Sequence, residues 1–295
     1  SATELKSNGF SISQLSSGGF GINDLNPLYP NDIATLSSVF DVATLKSVSY
    51  NATDMADYFT TAEMAAGFTV AELKAVTPTA YTAFDLYPHI TSATDLRENE
   101  NGFTATELRE LNDLSGADGT VGPIVFTLLN LVNAGYSVSN LKTAQYAAVE
   151  LKEHFSVSQL AEVFTLVQLA EASITAEQLR TVTKEDNTDK FSLLDLATVA
   201  NSSQVTYFSV SDLASANYSA AELKGLTDGQ ANLFTLPDLW PTYSAALLKP
   251  LYSLTELLYS SGYPGIPLSE LVPLYTASQL KTENVSLEDL AAENL

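Results

Sequence analysis

Along the chain an aromatic residue is followed by Ser or Thr, two variable residues, an acidic or amide residue and then Leu, and the pattern returns every nine or ten residues. Clear copies are Phe68-Thr69-Val70-Ala71-Glu72-Leu73-Lys74, Phe103-Thr104-Ala105-Thr106-Glu107-Leu108-Arg109 and Tyr218-Ser219-Ala220-Ala221-Glu222-Leu223-Lys224. The anchor Leu, occasionally Met, recurs at 26 positions from Leu5 to Leu290. A short fixed period of this kind points to a repeat architecture.

The polar positions spell the start of a helix. Ser or Thr is an N-cap whose oxygen accepts from the free N–H groups of the first turn. Three residues on, Glu, Asp or Gln reaches back to the cap's own N–H, which makes a capping box. Thr69 with Glu72, Ser156 with Gln159, Ser209 with Asp212 and Ser286 with Asp289 fit this pattern. The aromatic before the cap and the Leu at the fourth helical position form a hydrophobic staple, as in Phe68 with Leu73 and Tyr136 with Leu141. Strand-like alternation is missing, and Leu, Ala and Glu favour helix.

Pro or Gly often follows the anchor closely, as in Leu86-Tyr87-Pro88 and Leu239-Trp240-Pro241, so the helices are short. Six helical residues rise about 9 Å, and such a helix is unstable alone. The expected fold is therefore all-α: a solenoid-like array of 26 two-turn helices whose aromatics and Leu residues share one core. Residues 112–125 depart most from the pattern and are rich in Gly. They divide an N-terminal repeat array, 1–111, from a C-terminal one, 126–295, unless the solenoid is continuous. Thr183–Lys190, Thr198–Tyr207 and Gly225–Leu233 are smaller inserts, and inserts of a solenoid often project and bind.

Charge narrows the partners. The chain has 35 Asp and Glu against 13 Lys and Arg, a net −22, which argues against nucleic acid and anionic membranes. Eleven of the 13 cations directly follow an anchor Leu, which reads as complementing the helix dipole and not as a binding patch. There is no Cys, so disulfides, thiolate metal sites and a Cys nucleophile are excluded. No apolar run is long enough to span a membrane. Ser1 stands where a unit's Ser or Thr belongs, without the aromatic before it. That leaves two expectations: removal of an initiator Met, or excision from a longer precursor or array.

Candidate chemistry is sparse. His89 and His154 each end a unit, with no metal-binding spacing around them, and read as helix-end residues. Ser and Asp are plentiful because they cap helices, which removes any triad signal. Lys184 to Leu196 resembles a calcium loop followed by a helix, but it lacks the Gly and the ligand ladder of an EF-hand. Twelve of 13 Phe residues take the first position of a unit, which assigns them to staples. Tyr29, Tyr58, Tyr87, Tyr207, Tyr259 and Tyr263 lie off that position as candidate contact residues, and Trp240 is expected in the core beside Pro241. Asn51, Asn201, Asn217 and Asn284 begin N-glycosylation sequons, relevant if the chain is secreted. No catalytic, cofactor-binding or metal residue is assigned.

The units Phe68–Lys74, Phe103–Arg109 and Tyr218–Lys224 resemble tandem Gly-Phe-Ser/Thr-X-X-Glu-Leu-Lys arrays of uncharacterised proteins from aquatic microbes and large viruses of algae. The resemblance covers nearly the whole chain and implies the repeat without an activity. The functional expectation is a structural, non-enzymatic repeat protein. It self-assembles as a subunit of an extracellular fibre, surface layer or virion, with copies of itself and other coat or surface proteins as partners. The alternative is a module that binds protein, peptide or glycan through the inserts. Neither involves a cofactor, nucleic acid or membrane insertion.

Overall fold

The computed structural model describes residues 1–113, 125–227, 229, 231–259 and 265–292. Among them the chain forms 26 short α-helices, α1 to α26 in chain order, from α1 (Ala2–Ser7) to α26 (Leu287–Ala292), and no strand. Each helix carries one anchor of the repeat, and the fold is all-α as the periodicity predicts. Anchors from Leu15 to Leu280 are buried, most of them completely, whereas Leu5 and Leu290 are only half-buried.

The capping box is the recurrent helix start. Thr69 Oγ1 accepts from Glu72 N–H while Glu72 Oε2 accepts from Thr69 N–H at 2.8 Å, and Ser209 with Asp212 repeats the arrangement. Where the cap is Gly21 or Ala147, half of the box survives: Asp24 and Glu150 still accept from the cap's N–H. Of the two variable residues, the first, at position N1, is a second core position. Val70, Ala83, Ala105, Val138, Ala176 and Ala220 are all buried there, one turn before the anchor.

Helix endings explain the alternation between nine and ten residues. In ten-residue units a residue with positive φ follows the C-cap, and two backbone bonds close a Schellman motif. At the end of α12 (Leu128–Asn133), Gly135 (φ +86°) donates to Val132 and Tyr136 donates to Leu131. Gly9, Gly19, Ser49, Gln145, Ser173, Asn217 and Asn284 take the same left-handed position. In nine-residue units that residue is missing, and the aromatic N–H bonds the anchor carbonyl directly, as Phe155 does to Leu151. The aromatic thus ends one helix as it introduces the next.

Longer connections are closed by single backbone bridges. Thr183 pairs with Asp189, Ala200 with Thr206 and Thr227 with Asn232, all antiparallel. The segment expected as a boundary falls mainly on residues outside the described set. The helices on either side of it meet: α10 (Ala93–Arg97) packs on α12, and α11 (Ala105–Asp113) packs on α13 (Val138–Thr143). Asn112 ties the flanks together, its amide accepting from Val125 N–H at 2.7 Å and donating to Phe126 carbonyl at 2.7 Å.

The chain divides into two compact units, residues 1–146 and 147–295. In the first, alternate helices pack in two rows. One row runs α5 (Val42–Ser47), α7 (Thr61–Gly67), α9 (Ala83–Leu86), α11 and α13. The other runs α6 (Ala52–Met55), α8 (Val70–Lys74), α10 and α12. In the second unit, α14 (Ala148–Leu151) packs on α16 (Leu166–Glu171), and α17 (Ala176–Arg180) on α19 (Val210–Ser215).

Leu169 is fully buried and Leu290 is not. Leu169→Ala is expected to lower stability by about 2–5 kcal/mol, and Leu290→Ala by less than half of that. Urea titration followed by circular dichroism at 222 nm measures both; equal losses would contradict a core built on the anchors.

Candidate functional surface

The cations after the anchors carry the most specific chemistry in the chain. They do not serve their own helix. Nine of the eleven reach the helix two further along and donate to a carbonyl at its C-terminal end, and eight of these nine lie against the aromatic that closes it. Lys74, at the end of α8, donates to Gly102 carbonyl at 2.9 Å and stands 4.5 Å from the Phe103 ring centre. Lys46 treats Gly67 carbonyl (3.1 Å) and Phe68 (4.5 Å) in the same way. Arg97 donates to Ala134 carbonyl at 2.8 Å with its guanidinium 5.0 Å from Tyr136.

Lys6 repeats the arrangement on Leu28 and Tyr29, and Arg109 on Ala144 and Tyr146. In the second unit, Arg180 repeats it on Ala216 and Tyr218, Lys224 on Leu251 and Tyr252, and Lys249 on Leu274 and Tyr275. Lys152 bonds Ala172 carbonyl, where Ile174 takes the aromatic position. The physics combines three attractions: terminal carbonyls without a helical partner, the negative end of the helix dipole, and the face of a π-system. Gly135 fits this geometry, because a Cβ there would stand 2.6 Å from Arg97 Nη1.

Two clips add a carboxylate. Lys46 pairs with Glu72 at 2.8 Å and Lys74 with Glu107 at 3.1 Å, each a capping-box Glu. Partial burial pushes the Glu72 carboxyl up, but Lys46 and the Thr69 cap outweigh it and the net shift is downward. Glu107 follows the same balance with Thr104 and Lys74. Tyrosine hydroxyls supply parallel links: Tyr136 donates to Phe103 carbonyl and Tyr243 to Tyr218 carbonyl. Burial pushes the Tyr136 phenol up to about 12, with Arg97 opposing it. The Tyr218 hydroxyl is buried without a partner.

The other candidate residues are dispersed. His89 and His154 are both exposed, and their backbone N–H groups bond Leu86 and Leu151. Asn51 caps α6, accepting from Asp54 N–H at 3.0 Å. Asn201 shapes a turn by accepting from Ser203 and Val205 N–H, while Asn217 and Asn284 are left-handed residues at helix ends. Each sequon Asn thus has a conformational role. In the segment read as calcium-like, Asp186 accepts from Thr188 N–H at 3.0 Å and hydroxyl at 2.6 Å. Among the described residues no group of three His, Asp or Glu is placed to hold a metal ion. Nor is any described helix long and apolar enough to cross a membrane.

Two aromatic assignments change. Tyr29 is a repeat aromatic, half-buried under Lys6, because the following insert displaces the next cap. Trp240 is half-buried at the C-cap of α21 (Leu236–Leu239) and does not fill the core. Tyr58 and Tyr259 are exposed, Tyr87 and Tyr207 half-buried, and Tyr263 lies outside the described residues. Phe84, the one Phe off the repeat position, is 57% exposed and borders an open cleft of about 360 Å³ with Lys74, Tyr81, Phe103 and Glu107. Comparison with protein-family models, with curated proteins and with solved structures finds no match.

Replacing Lys74 by Met is expected to cost about 1–3 kcal/mol, through the lost charge-assisted bond and ring contact. Lys281, which occupies the same position in its unit but whose ammonium has no partner among the described residues, is the control, and Lys281→Met is expected to change stability by under about 0.5 kcal/mol. Equal effects in chemical denaturation would remove the clip from the account. Capping carboxylates such as Glu63, Glu222 and Asp289 are held below their ordinary values by bonds from their cap residues. A depressed carboxyl contributes fully above the ordinary values of 4.5 and 3.8, and that contribution drains away as pH falls through the lowered ones. Helicity is therefore expected to hold down to about pH 5 and to fall progressively below about pH 4, a loss that circular dichroism across pH 7 to 2 follows.

Proposed function

We propose that the chain is a non-enzymatic structural repeat protein that self-assembles, as a subunit of an extracellular fibre, surface layer or virion. The clip carries this reading. The most specific contact in the fold joins one helix to the one two further on, and it recurs along both units instead of converging on one place. An array held by nearest-neighbour contacts is solenoid-like in its energetics. Such proteins act through extended surfaces, and here the surface is acidic. Copies of the chain and other coat or surface proteins are the expected partners, with Asn51, Asn201, Asn217 and Asn284 available for glycosylation in a secreted setting.

Self-repulsion at a net charge of −22 makes association depend on ionic conditions. Sedimentation velocity and electron microscopy of the purified chain, across protein concentration and with added salt or calcium, are expected to show higher-order species that grow with screening. A single monomeric species under every condition refutes the proposal. The second reading, a binding module, is favoured by the exposed apolar side chains of Val149, Val167 and Leu194 at the start of the second unit.

A further inference from the structure

Position N1 of the repeat is buried or half-buried, and position N2 lies nearer solvent. An apolar residue at N2 therefore has no role in the core, and helix electrostatics favour an acidic side chain there. At the start of the second unit, from α14 to α19, alternate helices differ at this position. On α14, α16 and α18 (Leu193–Thr198) it holds Val149, Val167 and Leu194, which are 52%, 38% and 39% exposed. On α15 (Val157–Ala161), α17 and α19 it holds Ser158, Glu177 and Ser211. α14 packs on α16. From the loop after α18, Tyr207 donates its hydroxyl to Glu171 on α16 at 3.1 Å.

Charge around the apolar set has one sign. Glu150, Glu153, Glu171 and Asp195 lie on or beside these helices and are exposed. Residues 147–198 hold nine Asp and Glu against four Lys and Arg. Three of those four are turned to partners within the unit: Lys152 to Ala172 carbonyl, Arg180 to Ala216 carbonyl, and Lys190 to Glu162 at 2.6 Å. At this face a second copy of the chain brings the same excess of negative charge and is disfavoured, whereas a cationic partner is attracted. Spacing also selects the partner. Packed helices such as α14 and α16 lie about 8–10 Å apart, close to the roughly 10.5 Å rise of seven helical residues.

We propose that α14, α16 and α18 form a docking face for a cationic amphipathic helix of a different protein. Apolar residues one heptad apart on that helix seat on Val149, Val167 and Leu194, and its Lys and Arg residues pair with the bordering carboxylates. This goes beyond self-assembly, because the face selects a partner of opposite charge.

The probe is a synthetic three-heptad peptide with Leu on one face and Lys on the other, binding to the full chain read by fluorescence anisotropy. The variant combines Val149→Asp, Val167→Asp and Leu194→Asp. Acid in the first turn favours a helix, so the variant retains its fold, which circular dichroism verifies. Although more negative, it is expected to bind the peptide at least about tenfold more weakly. A scrambled peptide of the same composition is expected to lose comparable affinity. Four results overturn the proposal: no binding by the parent chain, equal or tighter binding by the variant, equal binding of the scrambled peptide, or conversion of a parent oligomer to monomer by the three substitutions. The scrambled-peptide result marks a diffuse polyanion effect, and the last assigns the face to a second copy.

Discussion

A helix leaves its first N–H groups and its last carbonyls without intrahelical partners. In helices of four to nine residues those ends are nearly the whole helix. Everything else in this protein depends on supplying the missing partners. At the N-terminal end the chain does so locally, because the cap and the residue three positions later belong to the same turn. At the C-terminal end the local devices are a left-handed residue or a direct bond to the anchor carbonyl. The remaining carbonyl is met by a cation from two helices away, which makes the C-terminus the tertiary end of every clipped unit.

That division explains the charge distribution. Cations are drawn inward to carbonyls and rings, while carboxylates remain at exposed helix starts. A strongly acidic surface is then a consequence of how the short helices are held, before any partner is considered. The clip also tolerates inserts. The sequence distance it spans runs from 20 residues, Lys152 to Ala172, to 37, Arg97 to Ala134, with a cation-to-carbonyl bond at both. Loop-closure entropy grows only slowly with length, so an insert between two helices costs little while their packing is kept.

Much of the fold was legible in the sequence, because capping chemistry acts over three or four residues. Thr69 with Glu72 identifies a helix start without knowledge of any neighbour. The same reasoning misplaced the cations: Lys74 sits in the last turn of α8, so the dipole of its own helix was a sufficient account, yet its bond goes to Gly102. A signal was present, since an aromatic follows the second anchor after most such cations, but its spacing drifts with every insert. Tyr29 was misread for the same reason. The apolar face of the second unit was also hidden, because Val149 and Val167 look like core residues until N1 and N2 are distinguished by burial.

By itself, then, the sequence determined the helix starts, the identity and number of the anchors, the all-α class and the acidic excess. Each of these follows from contacts within one turn or from composition. Tertiary structure decided which helix packs on which, where each cation goes, which variable position is core, and which side of the array is left apolar. Those outcomes depend on distances between units nine to 37 residues apart, and nearly identical units carry no mark of which neighbour they will meet. Only packing, which brings alternate helices into register, makes that choice.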